Sequence, residues 1–199
     1  MLLWRSANVA GVLTTALLVA LAASLTACGV HSDDTPSTRR LAPTISSDGF
    51  TVRVPEGWTN ETRNAAKLGY KSFPDSRIVL LFEAPIPGTY EKNVNDLQPV
   101  IRADIIRPTY RPSDYAAYLR APSDVPETNR TPIRRTRLGG EPAAFYSADV
   151  DESGTPARGV QYIVTHNGVT YQLEYENSAA SFGRRLSDFR AVLRSLRWK

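Results

Sequence analysis

The stretch Val160–Glu176, VQYIVTHNGVTYQLEYE, decides how this sequence is expected to fold. β-Branched and aromatic residues lie on both sides of Asn167-Gly168, and Asn-Gly is the pair that a two-residue hairpin turn favours. The pattern therefore predicts a β-hairpin whose strands are residues 160–165 and 169–176. Because side chains alternate between the two faces of a strand, the second strand has one apolar face. That face carries Tyr171, Leu173 and Tyr175.

Other short segments extend this hairpin into a sheet. Gly139-Gly140 separates two strands in a second predicted hairpin. Residues 78–82 are apolar throughout, which is typical of a strand covered on both faces. Residues 100–106 fit either a strand or a short helix, and the pattern does not decide between them. The other predicted strands are Phe50–Val54, Leu68–Phe73, Ile78–Phe82, Ile133–Leu138 and Ala143–Val150.

Two helices are predicted to flank the sheet. Ser113-Asp114 is a typical helix start, and this first helix is expected to end near Pro122. Residues 181–197 place apolar side chains on one stripe at helical spacing, so they predict an amphipathic helix that lies on the sheet. The stripe consists of Phe182, Leu186, Phe189, Val192, Leu193 and Leu196. We therefore predict an α+β domain with a mainly antiparallel sheet, flanking helices and a C-terminal amphipathic helix.

The first thirty residues are typical of an exported bacterial lipoprotein. Arg5 precedes an apolar run over Val9–Ala23, which is shorter than the roughly 20 residues of a membrane-spanning helix. The next segment, LTACG at Leu25–Gly29, resembles the lipobox, in which the cysteine thiol receives a diacylglyceryl group. The order of these parts predicts a signal peptide over residues 1–27 and a lipid on Cys28 that anchors the chain to the outer face of a membrane. The alternatives are an ordinary secretory cleavage site and an uncleaved anchor.

Composition limits what the rest of the chain is expected to be. Residues 28–47 are rich in Ser, Thr, Pro and charge, which predicts a flexible tether, followed by a single domain over residues 48–199. The formal net charge of +4 reflects 24 basic and 20 acidic residues, a mild excess that does not indicate a nucleic-acid partner. Since the chain has one cysteine, no internal disulfide can form, and the domain depends on its apolar core.

Few residues offer catalytic chemistry. The two histidines, His31 in the tether and His166 beside the hairpin turn, are poorly placed to activate a nucleophile or to complete a zinc site. We therefore predict no enzyme activity, no metal and no cofactor. A carboxylate-based hydrolase is the weaker alternative, and its candidates are Asp149, Asp151, Glu152, Glu174 and Glu176. The first three are expected at a solvated hairpin end, and the last two are expected to face Arg135 and Arg137 in a charge ladder.

Two groups of residues are candidates for binding. Arg190, Arg194 and Arg197 follow at i, i+4 and i+7 along the last helix, which would suit anionic lipid headgroups or an acidic partner. The alternative is a solvated flank whose arginine stems cover the edge of the core. Tyr110 and Tyr115 lie near the first helix, where their rings would either rim a cleft or dock that helix on the sheet.

Several short motifs occur together in this chain. They are the lipobox, the Pro-rich tether, GFTVRVPEGW at Gly49–Trp58, Asn93-Val94-Asn95, LGGEPA at Leu138–Ala143, the hairpin and the closing helix. Together they resemble the actinobacterial LpqN/LpqT-type lipoproteins, whose domain is PsbP/Mog1-like, a central antiparallel sheet with helices on its faces. The resemblance implies a non-enzymatic cell-envelope protein that binds an envelope lipid or a protein partner. A secreted lipoprotein that engages host molecules is a second alternative, and a lipid carrier would require an apolar cavity between sheet and helix.

Overall fold

Antiparallel pairing organises the chain in the computed structural model, which describes residues 41–70, 75–85, 97–122, 126–152 and 155–199. These residues form eleven strands and two helices. In chain order they are β1 (Leu41–Ser46), β2 (Phe50–Pro55), β3 (Thr59–Asn60), β4 (Ser76–Glu83), β5 (Val100–Ile106), α1 (Tyr115–Arg120), β6 (Glu127–Thr128), β7 (Arg134–Leu138), β8 (Glu141–Glu152), β9 (Thr155–His166), β10 (Val169–Ser178), α2 (Phe182–Ser195) and β11 (Arg197–Trp198).

The strands form two sheets. The larger sheet has the order β3-β4-β5-β10-β9-β8-β6, and β7 also pairs with β8. The smaller sheet has the order β1-β2-β11. Every pairing among the described residues is antiparallel, so the predicted α+β class with a mainly antiparallel sheet is confirmed.

The hairpin with the Asn167-Gly168 turn lies at the centre of the larger sheet. Strands β9 and β10 pair over ten consecutive residue pairs. Asn167 and Gly168 have φ angles of 47° and 74°, the left-handed conformations that a type I′ turn requires. The prediction of this hairpin is confirmed, and so is that of the second hairpin, in which β7 and β8 flank Gly139-Gly140.

The two faces of the larger sheet are covered by different elements. The face that carries Tyr171, Leu173 and Tyr175 is called the packed face here, because α2 and the smaller sheet cover it. Leu173 and Phe189 of α2 are each 1% exposed. The opposite face is called the cleft face. It is covered at one end by α1, whose Leu119 packs against β8 and β9.

Helix α2 follows the predicted apolar stripe, and one aspartate lies within its buried side. Asp188 is 1% exposed. Its carboxylate accepts hydrogen bonds from Trp58 Nε1 at 3.0 Å and from Arg185 Nη1 at 3.4 Å. Arg185 belongs to α2 itself, whereas Trp58 lies three residues after the end of β2, so the Trp58 bond attaches the helix to the chain that leaves the smaller sheet.

The predicted strand over Leu68–Phe73 is wrong where the structure describes it. The backbone turns here, since the Leu68 N–H donates to the Asn64 carbonyl oxygen at 3.0 Å and Gly69 has a φ of 88°. Leu68 is 49% exposed, so its apolar side chain does not mark a buried strand. Residues 71–74 lie outside the described residues.

Strand pairing determines the structure of three further segments. Residues 100–106, which fitted either a strand or a helix, form β5 between β4 and β10. The predicted tether over residues 28–47 includes Leu41–Ser46, but this segment pairs with β2 as β1, and Ile45 packs against the core. Helix α2 ends at Ser195, so Arg197 belongs to β11 rather than to the helix.

Candidate binding cleft

Polar side chains of β5 and β10 meet in the middle of the cleft face. The register places Gln172 opposite Asp104 and Glu174 opposite Arg102. Asp104 is 1% exposed and Gln172 is 3% exposed. We call Arg102, Asp104, Gln172 and Glu174 the polar strip. Buried polar groups destabilise a fold unless they are paired, so these side chains need hydrogen-bond partners.

Arg102 and Asp104 form the floor of the polar strip. Arg102 Nε and Nη2 donate to the two carboxylate oxygens of Asp104 at 2.5 and 2.7 Å, which is a bidentate pair. Burial lowers the pKa of Arg102, but the hydrogen bonds and charge of Asp104, together with the charge of Glu174, outweigh burial and leave this pKa above its ordinary value. Arg102 is therefore a permanent cation.

Beside this ion pair the sheet opens into a cleft of about 280 Å³, called the polar cleft here. Tyr70 lines one side of the cleft. It ends the turn segment 61–70, which is fixed to β4 because Thr62 Oγ1 accepts a hydrogen bond from the Leu81 N–H at 2.9 Å. The cleft combines a cation with carboxylates, an amide and a phenol, so it suits a polar group rather than a bare acyl chain. Besides Arg102, it is lined by Tyr70, Leu97, Gln98, Val100, Glu174 and Glu176.

Tyr118 of α1 covers the other end of the polar strip. Its hydroxyl donates to Gln172 Oε1 at 2.6 Å. Burial raises the pKa of Tyr118 to about 12, and the nearby charge of Asp104 adds to this effect, so the hydroxyl is a protonated donor at neutral pH. Tyr110 packs against Tyr118 with 4.7 Å between ring centroids, and its backbone N–H donates to Thr170 Oγ1 at 2.8 Å.

The two candidate tyrosines, Tyr110 and Tyr115, lie in different environments. Tyr110 reaches the polar strip. Tyr115 does not line any surface: it is 2% exposed and packs under α1, because the first residue of this helix faces β8 and β9. Its hydroxyl has no hydrogen-bond partner among the described residues. Cys28, the predicted lipidation site, lies outside the described residues.

Of the three candidate arginines, two lie on α2 and the third lies in β11. Arg190 and Arg194 are exposed on α2, on the packed-face side of the sheet and away from the polar cleft. Arg197 lies beyond the helix end, and its Nη1 donates to the carbonyl oxygens of Arg194 and Leu196 at 3.0 and 2.7 Å. Burial raises the pKa of Tyr162, and the nearby charge of Arg190 partly opposes that rise.

The predicted charge ladder between the glutamates of β10 and the arginines of β7 is wrong. Strand β10 pairs with β5 and β9, whereas β7 pairs with β8, so β8 and β9 separate the two rows. Arg135 lies opposite Ala144, and Arg137 lies opposite Pro142. Glu174 and Glu176 line the polar cleft instead.

The other titratable groups of interest make structural contacts. Asp149, near the end of the β8-β9 hairpin, pairs with Arg158 at 2.5 Å between Oδ1 and Nε, and hydrogen bonds led by those of Arg158 lower the pKa of Asp149. His166 Nδ1 lies 2.9 Å from Glu141 Oε1, and its ring stacks on Trp198 at 4.7 Å. The Glu152 side chain and His31 lie outside what the structure describes.

Sequence reasoning missed the ion pair on the floor of the cleft. The available signal was the segment VIRADII at Val100–Ile106, in which Arg102 and Asp104 interrupt an apolar run at positions i and i+2. This spacing places both charges on one face of a strand, but it does so only once the segment is known to be a strand.

A second cleft of about 540 Å³ lies at the end of the sheet near Gly168. One of its arginines, Arg77, pairs with Asp48 at 2.6 Å, and their side chains are 62% and 60% exposed. This cleft therefore lacks the buried charge that marks the polar cleft. Within the described residues no group of three metal-ligating side chains comes together, and no helix there is long and apolar enough to cross a membrane.

Comparison with known proteins shows the fold. No family model matches the sequence, and no curated protein matches it. Among solved structures, the chain is similar to LpqN, described as involved in cell envelope biogenesis of Mycobacterium tuberculosis, with a TM-score of 0.50 and 13% identity over 78% of this chain and 88% of that one. It is also similar to the cyanobacterial PsbP of Synechocystis, with a TM-score of 0.50 and 12% identity over 80% of this chain and 93% of that one. The domain thus has the PsbP-like α+β fold that LpqN shares.

Proposed function

We propose that this chain is a lipid-anchored protein of a bacterial cell envelope, related to the LpqN/LpqT-type lipoproteins. Its domain acts as a non-enzymatic binding module, and the polar cleft holds the polar part of an envelope lipid or of a protein partner. The anchor is the lipid on Cys28, which follows from the order of apolar run, lipobox and tether in the sequence.

The observation that carries the binding role is a buried ion pair whose arginine, Arg102, lines an open cleft. Apolar residues of similar volume often replace buried ion pairs without loss of stability, so folding alone gives little reason for Arg102 and Asp104 in the middle of β5. The cleft lies directly beside Arg102. A ligand group that accepts hydrogen bonds would meet this fixed cation, while Glu174 and Glu176 would accept from its donors.

The fold supports the envelope role by analogy. LpqN is described as involved in cell envelope biogenesis, and this chain shares its fold over most of both lengths. Fold alone does not determine function, so the analogy only adds to what the lipobox and the polar cleft indicate.

Native mass spectrometry of the full chain, extracted from bacterial membranes in detergent, tests both parts of the proposal. We expect acyl chains on Cys28, which a Cys28→Ala variant lacks, and a bound envelope molecule on the wild-type chain. The double variant Arg102→Leu/Asp104→Leu removes the ion pair without leaving one charge buried alone, and it should lose the bound molecule.

The matched control is Asp149→Leu/Arg158→Leu, which removes an ion pair of the same type outside the polar cleft and should keep the bound molecule. A bare mass after incubation with envelope extract, or a molecule that the Arg102→Leu/Asp104→Leu variant retains, would contradict the cleft assignment. Slow conversion of the bound molecule that stops in Glu174→Gln would replace binding by the hydrolase alternative.

A further inference from the structure

The solvent side of α2 concentrates positive charge. The helix sequence FGRRLSDFRAVLRS contains four arginines and one aspartate, a net +3 in a chain whose overall formal charge is +4. The aspartate, Asp188, is buried and faces Trp58 and Arg185. The exposed charges of the helix are therefore the positive ones of Arg184, Arg190 and Arg194.

The surface extends beyond the helix itself. The Ser195 Oγ at the end of α2 accepts a hydrogen bond from the backbone N–H of Arg53 at 2.9 Å, so the exposed Arg53 of β2 lies next to the helix end. Arg197 lies at the same end, where its Nη1 donates to the Arg194 carbonyl oxygen. We call these residues the arginine surface: Arg53, Arg184, Arg190, Arg194 and Arg197.

Helix stability does not account for this surface. A cation at the C-terminus of a helix interacts favourably with its dipole, which explains Arg197 and in part Arg194. Arg184 lies in the first turn, where a cation is unfavourable, and Arg190 and Arg194 repel each other at i and i+4. Neither Arg190 nor Arg194 makes an ion pair within the described part of the chain, so no acidic side chain described there offsets this repulsion.

We propose that the arginine surface docks the domain on the anionic phospholipids of the membrane that holds its lipid anchor. This inference rests on the proposed anchor. Twelve residues, 29–40, separate Cys28 from β1, and an extended chain of that length spans at most about 45 Å. The anchor thus keeps the start of β1 within that distance of the membrane, and each arginine that comes near an anionic surface strengthens the attraction roughly fivefold.

Docking in this way fixes the direction of the polar cleft. The helix α2 covers the packed face of the larger sheet, and the cleft opens on the opposite face. A domain that rests on the membrane through α2 therefore presents the polar cleft away from that membrane. A ligand or partner then reaches the cleft from the outside, without passing between the domain and the bilayer.

Energy transfer between the domain and lipid headgroups tests the docked orientation. The full acylated chain is reconstituted in phosphatidylcholine vesicles with or without phosphatidylglycerol, with an acceptor dye on the headgroups. A donor dye is attached through Ser187→Cys on α2 or through Ala117→Cys on the exposed side of α1. Transfer should be stronger from α2 than from α1 in the anionic vesicles only, and high salt should remove the difference.

The variant Arg190→Glu/Arg194→Glu should abolish the difference between the two dye positions. The variant Arg120→Glu/Arg135→Glu reverses the same number of charges at exposed residues that flank the cleft face, and it should leave the difference intact. Equal thermal stability of the two variants confirms that both are folded.

Two failures are distinguishable. Equal transfer from both dye positions in anionic vesicles, or a difference that Arg190→Glu/Arg194→Glu leaves unchanged, would overturn the docking inference while the intact mass still shows acyl chains on Cys28. An intact mass without acyl chains, from a chain that does not float with vesicles, would overturn the proposed anchor, and docking with it.

Discussion

The packed face and the cleft face of the larger sheet are built by the same strands, but they are buried in different ways. On β10, Leu173 points to the packed face and is 1% exposed among apolar side chains. Its neighbour Gln172 points to the cleft face and is 3% exposed, with Tyr118 as its hydrogen-bond partner. The two side chains are equally buried, but the source of stability differs. The packed face is stabilised by removal of apolar area from water, whereas the cleft face depends on paired polar groups.

This difference assigns separate tasks to the two faces. The packed face contains most of the described core, and α2 covers it. Val192 of this helix and Leu196, which follows its last residue, are both 0% exposed. The cleft face leaves a recess beside Arg102, where burial is incomplete and charges are held in place. A substitution on the packed face should therefore change stability alone, whereas substitutions on the cleft face should separate stability from binding.

The largest expected effect is on the packed face. Leu173→Ala leaves a cavity beneath α2 and should lower the free energy of unfolding by about 4 kcal/mol. Urea denaturation followed by tryptophan fluorescence measures this loss. The same substitution at the 49% exposed Leu68 is the control and should change stability by less than about 0.5 kcal/mol. Similar losses at both positions would contradict the assignment of the packed face as the main core.

The next effect tests the ion pair of the cleft face. Asp104→Leu leaves the Arg102 guanidinium buried without its bidentate acceptor and should lower the free energy of unfolding by about 3 kcal/mol. The double variant Arg102→Leu/Asp104→Leu should recover most of this loss, because no buried charge is left alone. Urea denaturation of both variants checks the pair. A double variant as unstable as the single one would show that the pair supports the fold rather than the cleft.

A smaller effect is expected where α1 meets the polar strip. Tyr118→Phe removes the donor to the buried Gln172 Oε1 and should lower the free energy of unfolding by about 1 kcal/mol. Tyr110→Phe is the matched control, because the backbone N–H and carbonyl oxygen of Tyr110 make its contacts with Thr170 and Thr165. Thermal unfolding of both variants compares them. An equal loss at Tyr110 would mean that removing a phenolic hydroxyl has the same cost at both positions, and that the bond to Gln172 does not attach α1 to the strip.

The packed face could be predicted from the sequence, whereas the cleft face could not. The alternation of Tyr171, Leu173 and Tyr175 and the Asn167-Gly168 turn are local signals, and both led to the observed hairpin. The partner of Glu174 is not local: Arg102 lies 72 positions earlier, in a segment that fitted a helix equally well.

Polar alternation also has the same pattern whether a face is solvated or covered. The alternation therefore predicts that Gln172, Glu174 and Glu176 point outward and that the two glutamates face Arg135 and Arg137. Tyr70 instead lines the cleft beside Glu174 and Glu176, and Tyr118 of α1 donates to Gln172, and neither position follows from periodicity. The same limit explains Tyr115, since a ring at a helix start can face either the sheet or solvent.

The smallest expected effect lies near the end of the β8-β9 hairpin, outside the polar cleft. Hydrogen bonds from Arg158 hold the pKa of Asp149 below its ordinary value of 3.8. A carboxyl group whose folded-state pKa is lowered stabilises the fold above its unfolded pKa, and this contribution is lost as the pH falls through the folded value. Because the Arg158 side chain is 43% exposed, Asp149→Asn should cost only a few tenths of a kcal/mol at pH 7, as for other exposed pairs. Melting temperatures of wild type and variant, measured from pH 7 downwards, should converge below about pH 4. A gap that persists unchanged at lower pH would mean that the Asn129 and Arg158 contacts act through shape and not through the charge of Asp149.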